Sequence, residues 1–179
     1  VEIMNYYFSA ITEFERLGDH ALNIAEIAAE LYNKNSAFSK AALSELTVLW
    51  ELLDTILNHT SEAFRKQNLT EARQIEPLEQ VVDDLVNVLK INHLDRLRKG
   101  KCGVFNGSEF FNLLSEAERI SDVCSNVGVA TVARAKPEIK HQVHNYISML
   151  HSGKDEEFNQ VYQKTHDEYF KKLNTITTN

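Results

Sequence analysis

Carboxylates and amides recur at a fixed spacing in two segments of this chain. Successive members lie four residues apart in the two sets Glu15, Asp19, Asn23 and Glu118, Asp122, Asn126. On an α-helix, this spacing places the three side chains of each set on one face. Oxygen donors gathered on one face are the ligands that hard cations prefer in proteins. The pattern therefore predicts that both segments bind divalent or trivalent metal ions.

The two segments are copies of one motif. Residues 13–24 and 116–127 lie 103 positions apart, and their identical residues are polar. Packing alone would not require such polar matches. Both copies also hold an arginine, Arg16 and Arg119, which could neutralise the acids in surface ion pairs. Because burying unpaired carboxylates is costly, a bound cation is the interpretation that we favour for the repeat.

A third acidic pair lies between the two copies. Glu79 and Asp83 are also four residues apart, with Glu76 and Asp84 as neighbours. If the helix carrying this pair packs against the second copy, Glu79 and Asp83 complete a cluster with Glu118 and Asp122. On spacing alone, a solvated acidic face is the simpler explanation.

Histidine and cysteine residues give weaker indications of chemistry. We expect His20 to form a surface or interhelical hydrogen bond. His93 lies near a predicted helix C-terminus, where the helix dipole favours a cationic imidazole. Glu138 and His141 have the ExxH spacing of di-iron carboxylate bundles, but such sites need two of these motifs. Cys124 lies among apolar residues, where a thiol is usually inert, and no catalytic residue is predicted.

Composition limits the class of protein. The 179 residues are 43% hydrophobic and carry a formal net charge of −7, with six glycines and two prolines. So few turn residues argue against an all-β fold. The acidic balance argues against a nucleic-acid partner, which would need a cationic face. No apolar run approaches the roughly 20 residues that span a bilayer.

Apolar residues at intervals of three and four predict an all-α protein of long antiparallel helices. Long stretches without glycine or proline agree with that prediction. Six helices are expected: one ending at Asn33, a second from Ser39 to Lys66, a third from an Asn68–Glu71 capping box to Arg98, a fourth from Ser108 to Ala135, a fifth from Pro137 to about Ser152, and a sixth from Asp155 to Leu173.

The run from Glu15 to Glu26 resembles the signature of the PhoU family of phosphate-uptake regulators. The second copy is similar but weaker. More specifically, the run from His93 to Cys102, the segment from Phe110 to Leu114 and the second motif together resemble the PhoU-like region at the C-terminus of bacterial sodium/phosphate cotransporters. The resemblance covers about residues 9–130.

This resemblance implies two three-helix bundles side by side, with multinuclear sites for iron, zinc or other divalent ions. Residues 1–34 would be the third helix of a first bundle truncated at its N-terminus, residues 36–135 the second bundle, and residues 136–179 a C-terminal helical extension. The start at Val1, without an initiator methionine, fits a piece cut from a longer polypeptide. The implied ligands are Glu15, Asp19 and Asn23 for one site, and Glu118, Asp122 and Asn126 with Glu79 and Asp83 for the other.

The expected function is regulatory and non-enzymatic. The chain would be a metal-binding domain on the cytoplasmic side of the cell membrane, attached to the membrane-embedded transporter portion of the same polypeptide. Inorganic phosphate would bind through the metal. The sequence leaves open whether the chain forms a homo-oligomer. Two alternatives also stay open: a ferritin-like di-iron carboxylate protein, and a purely structural helical module whose acids are solvated.

Overall fold

The computed structural model describes residues 2–140 and 142–177. Over these residues the chain is helical and forms no strand, so the all-α prediction is confirmed. The helices are α1 (Glu2–Asn33), α2 (Lys40–Lys66), α3 (Leu69–Arg98), α4 (Val104–Ala135), α5 (Pro137–Lys140), α6 (Val143–Met149) and α7 (Glu156–Thr177), with a π-helical segment at Leu150–Lys154 before α7. None of the described helices is long and apolar enough to cross a membrane.

The predicted N-caps of α2 and α3 are confirmed. Ser39 accepts a hydrogen bond from the Ala42 backbone N–H at 3.2 Å. Asn68 Oδ1 accepts one from the Thr70 N–H at 3.0 Å and a longer one from Glu71. The reciprocal bond of the capping box is not formed, because the Glu71 carboxylate lies 2.6 Å from His59 Nδ1 on α2. That contact ties the start of α3 to α2.

Two predicted boundaries were wrong. Helix α4 begins at Val104 rather than Ser108, and Gly107 therefore lies inside it. A Cβ on Gly107 would come within 2.9 Å of Leu97 Cδ2, so this glycine allows α4 to approach α3 closely rather than marking a loop. The predicted fifth helix is divided, since Gln142 has non-helical backbone angles, whereas the positive φ of Gly153 agrees with its predicted end.

Helices α2, α3 and α4 form a three-helix bundle around a continuous apolar core. The most extensive interface joins α3 and α4. Residues with no exposed surface come from all three helices, among them Leu52, Leu85 and Leu114. Helix α7 packs on α2 and α3, where Tyr169 and Leu173 join the same core. The C-terminal extension is therefore packed on the bundle.

Helix α1 packs on α4 in the antiparallel direction. Near its start, the Tyr6 hydroxyl lies 3.0 Å from Thr131 Oγ1, close to the end of α4. Beyond its end, Ser36 bonds Asn106 at the start of α4. The outer face of α1 carries four large apolar side chains that are 58–63% exposed: Met4, Phe8, Ile11 and Leu22.

The close approach of α3 and α4 can be tested at Gly128. A Cβ there would lie 2.9 Å from Ile75 Cδ1 and 3.3 Å from the Ala72 carbonyl oxygen. We expect Gly128→Ala to lower the free energy of unfolding by about 1–3 kcal/mol, because the crowded interface must shift. Urea unfolding followed by circular dichroism measures this change.

Gly18→Ala is the matched control. Gly18 also lies within a helix, but an added Cβ there would meet no other atom within 4 Å. This substitution should raise the free energy of unfolding by about 0.5–1 kcal/mol, since alanine loses less conformational entropy. Equal changes in the two variants would contradict the packing described for Gly128.

Candidate metal centre

Two glutamate–asparagine pairs connect α1 to α4. Asn23 Nδ2 donates to Glu116 Oε2 at 3.1 Å, and Asn126 Nδ2 donates to Glu13 Oε2 at 3.3 Å. In each pair, the amide of one copy of the repeat binds the glutamate of the other copy. Because the two helices run antiparallel, the pairs are related by an approximate two-fold axis. Part of the repeat therefore serves the packing of α1 on α4.

The arginines of the repeat add a second symmetric contact. Arg16 lies 3.0 Å from Glu13, and Arg119 lies 3.2 Å from Glu116, each three residues along its own helix. His20 Nδ1 lies 2.8 Å from Glu116 Oε2, which confirms the predicted interhelical hydrogen bond. Val123 occupies the equivalent position in the second copy, so this bond has no symmetric counterpart.

A second seam, between α3 and α4, brings acidic side chains together. Glu79 and Asp83 lie on α3, and Glu118 and Asp122 face them from α4; we call these four residues the acidic groove. Asp83, Glu118 and Asp122 line one surface depression together with Ser115 and Arg119. The spacing of four residues on both helices keeps the carboxylates along the same interface.

Burial and mutual repulsion disfavour ionisation in this groove. Burial, followed by the charge of Asp83, raises the pKa of Glu79 to about 8. Burial, followed by the charges of Glu118 and Asp122, raises the pKa of Asp83 to about 6. The pKa of Asp122 is raised in the same way, although its side chain is at the exposed rim. The neighbouring carboxylates therefore make Glu79, Asp83 and Asp122 harder to ionise.

Protein cations compensate only part of this negative charge. Lys90 Nζ lies 2.8 Å and 2.9 Å from the two carboxylate oxygens of Glu118. Arg16 and His20 lower the pKa of Asp122, but burial and Glu118 outweigh them. Glu79 forms no hydrogen bond or ion pair with any described residue. Additional positive charge would therefore be most stabilising at Glu79, which we call the inner end of the groove.

The predicted ligands of the first copy are placed differently. Glu15 and Asp19 are exposed on α1 and have no hydrogen-bonding or ion-pair partner within residues 2–140 and 142–177. Asn23 is engaged by Glu116, and Asn126 by Glu13. The structure brings together Glu79, Asp83, Glu118 and Asp122, and it leaves the other predicted ligands outside the groove.

Two residues beside the groove were not predicted as ligands. Glu76 is buried on α3, accepts a hydrogen bond from Ser125 Oγ, and lies 3.0 Å from His151 Nε2. One ligand atom from each of Glu76, Glu79 and His151 lies within 4.8 Å of the others. The spacing of Glu76 and Glu79 is visible in the sequence. No sequence signal places His151 there, because its position depends on how the C-terminal extension folds back.

The expectation for His93 was wrong. Its side chain is buried and stacks on Phe110 with ring centres 4.4 Å apart. Burial, followed by the nearby charge of Arg96, lowers the pKa of His93 and favours the neutral imidazole. Solvent exclusion thus outweighs the helix dipole at this position. His141 of the ExxH spacing lies outside the described residues.

Comparison with known proteins finds sequence similarity over part of this chain. A sequence profile for the PhoU domain matches residues 47–131. This stretch of the chain is PhoU-like. It is 25% identical over 122 residues to the phosphate-specific transport system accessory protein PhoU homolog of Clostridium acetobutylicum, an alignment that covers 68% of this chain and 54% of the relative. The chain thus spans about half the length of that relative. No solved structure matches it significantly.

The PhoU-like region includes the whole acidic groove. Glu79, Asp83, Glu118 and Asp122 all lie within residues 47–131, whereas Glu15, Asp19 and His151 lie outside them. The part of the chain with the recognisable family pattern is therefore the part in which the structure gathers the predicted acids.

The raised pKa of Glu79 predicts a pH dependence of stability. An ordinary glutamate has a pKa of 4.5, whereas this one has a pKa of about 8. Between these values the folded state holds a proton that the unfolded state has lost, so Glu79 destabilises the fold increasingly as the pH rises. We expect Glu79→Gln to be more stable than the parent at pH 8, by about 1–2 kcal/mol after solvent screening. At pH 5 the difference should nearly vanish.

Thermal unfolding in the presence of a chelator measures this difference at both pH values. Glu26→Gln is the control, because Glu26 is an exposed carboxylate on α1. This control should change the melting temperature little at either pH. A constant difference between Glu79→Gln and the parent from pH 5 to pH 8 would show that Glu79 ionises normally.

Proposed function

We propose that this PhoU-like chain regulates phosphate transport without catalysing a reaction, and that its acidic groove binds a metal cation. The observation that carries the proposal is the convergence of four carboxylates, two from each of two packed helices. The PhoU profile over residues 47–131 and the similarity to a phosphate-transport accessory protein support the regulatory role.

The donor set of the groove fits a hard cation. Glu79, Asp83, Glu118 and Asp122 offer carboxylate oxygens, the ligands of Mg²⁺, Ca²⁺ and Mn²⁺, and carboxylates also bind iron and zinc. A cation would replace the mutual repulsion of these groups with attraction. Lys90 holds Glu118 in place from the α3 side. Such a cation presents positive charge to which phosphate oxygens can coordinate.

Glu15 and Asp19 belong to a second proposed site that needs donors from further helices. Their helix, α1, exposes Met4, Phe8 and Ile11 along its outer face. In the proposed two-bundle arrangement, the preceding helices of the first bundle cover this face and provide the missing carboxylates. We propose that the whole protein is a sodium-dependent phosphate transporter with this domain on the cytoplasmic side of the membrane, as the sequence from His93 to Cys102 suggests.

A purely structural role has one specific observation in its favour. The pairs Asn23–Glu116 and Asn126–Glu13 use polar residues of the repeat to hold α1 against α4 without any metal. This role does not explain Glu79, which is half-buried and has no bonding partner within the described part of the chain. Metal binding explains why acids gather in the groove, and helix packing explains the two glutamate–asparagine pairs of the repeat.

Metal retention tests the proposed groove directly. The parent chain and the double variant Glu118→Ala/Asp122→Ala are exposed to Mn²⁺, desalted and subjected to elemental analysis. We expect the variant to retain much less metal than the parent chain, because its metal affinity should fall at least about tenfold. Even the loss of groups that only orient the ligands lowers metal affinity by about 10–100-fold. Equal retention by both proteins would reject the groove as the binding site.

Glu15→Ala/Asp19→Ala is the matched control, since it removes the equivalent residues of the first copy. Both of these side chains are exposed on α1. We expect this variant to retain as much metal as the parent chain. Loss of metal in this variant alone would place the binding site on α1 and contradict the assignment to α3 and α4.

Calorimetry with inorganic phosphate tests the regulatory step. Metal-loaded protein should bind phosphate, whereas chelator-treated protein and the Glu118→Ala/Asp122→Ala variant should not, because the bound cation supplies the positive charge. The acidic groove alone repels a phosphate anion. Absence of phosphate binding to fully metal-loaded protein would remove phosphate sensing from the proposal while leaving metal binding intact.

A further inference from the structure

The inner end of the acidic groove, at Glu79, differs chemically from the outer part, which is formed by Asp83, Glu118 and Asp122. There, Glu76 and Glu79 of α3 meet an imidazole, that of His151. The ligand atoms of these three residues lie within 4.8 Å of one another. A cation about 2.0–2.2 Å from each donor would need only small side-chain adjustments to bind all three.

We propose that Glu76, Glu79 and His151 form a mixed carboxylate–imidazole site for a transition metal such as Zn²⁺, Fe²⁺ or Co²⁺. This site is separate from the carboxylate position formed by Asp83, Glu118 and Asp122. It deepens the proposed function, because it assumes that the groove binds cations, and it adds a ligand from outside the PhoU-matched residues 47–131.

The donor chemistry sets the metal preference. Imidazole favours zinc, iron, copper and nickel, whereas sites with carboxylate donors alone suit magnesium, calcium and manganese. The His151 site should therefore discriminate against Mg²⁺, and the outer carboxylates should accept it. The single histidine therefore predicts two adjacent metal positions that prefer different metals.

Neighbouring groups hold the three donors in place. The His151 ring packs against Phe158, with ring centres 5.3 Å apart, and Phe158 is buried on α7. Ser125 Oγ donates to Glu76 from α4 and fixes one oxygen of that carboxylate. Glu76 and Ser125 also line a cavity of about 120 Å³ between α3, α4 and the C-terminal segment.

Metal titration of the whole chain tests this site. Co²⁺ is the probe for the mixed site, because its visible spectrum reports imidazole ligation, and Mn²⁺ is the probe for the outer carboxylates. We expect His151→Ala to weaken Co²⁺ binding at least about tenfold and to change its spectrum, with Mn²⁺ binding retained. His144→Ala is the control, since His144 is exposed on α6 and should leave both titrations unchanged.

The variant Asp83→Asn/Asp122→Asn separates this inference from the proposed function. It should lose Mn²⁺ binding and keep the Co²⁺ spectrum of the parent. Unchanged Co²⁺ affinity and spectrum in His151→Ala would overturn the mixed site, whatever happens to Mn²⁺. Unchanged Mn²⁺ binding in Asp83→Asn/Asp122→Asn would instead overturn the outer carboxylate position.

Two further measurements exclude an indirect effect of His151→Ala. Circular dichroism and the melting temperature without metal show whether the variant folds. His151→Gln keeps a hydrogen-bond donor for Glu76 but lacks the imidazole, so it should lose the Co²⁺ signature as His151→Ala does. Loss of both Co²⁺ and Mn²⁺ in a folded His151 variant would mean one shared centre and would overturn the separate site.

Discussion

Placing carboxylates at the seam between two packed helices is the constraint on which this structure depends. Helix α3 is buried by α2, α4 and α7, yet it carries Glu76, Glu79 and Asp83 toward α4. Burying such groups without compensation costs several kcal/mol, so each must be protonated, bonded or balanced by a cation. Ser125 and His151 bond Glu76, whereas Glu79 resists ionisation at ordinary pH. How the negative charge is balanced therefore governs both the stability of the bundle and its chemistry.

The same repeated motif meets this constraint in two ways. At the α1–α4 seam, Glu116 is bonded by Asn23, His20 and Arg119, so protein groups satisfy its charge. At the α3–α4 seam, Lys90 satisfies Glu118, but no described residue bonds Glu79. Because Glu116 and Glu118 belong to one copy of the motif, its polar residues divide between two faces of α4. One face holds α1 against α4, and the other contributes Glu118 and Asp122 to the acidic groove.

The starts of α2 and α3 could be predicted because they depend on the local N-cap residues Ser39 and Asn68. The convergence of Glu79 and Asp83 with Glu118 and Asp122 could be anticipated from spacing, once α3 and α4 were assumed to pack. The bonds Asn23–Glu116 and Asn126–Glu13 could not, because they depend on the antiparallel register of α1 and α4. The start of α4 was misjudged because Gly107 serves a close helix contact, and burial reversed the charge expected for His93.

The C-terminal extension contacts both the bundle and Glu76 beside the groove. Helix α7 covers α2 and α3, and Tyr162 on this helix donates a hydrogen bond to Asp84 at 2.7 Å. The π-helical segment just before α7 places His151 against Glu76. A cation that binds His151 in the folded state would also stabilise the docked extension, because binding only to the folded arrangement shifts the equilibrium toward it. The reverse also holds, since a coupling free energy acts equally on both events. Displacing the extension would remove one donor from the inner end of the groove and leave the outer carboxylates in place.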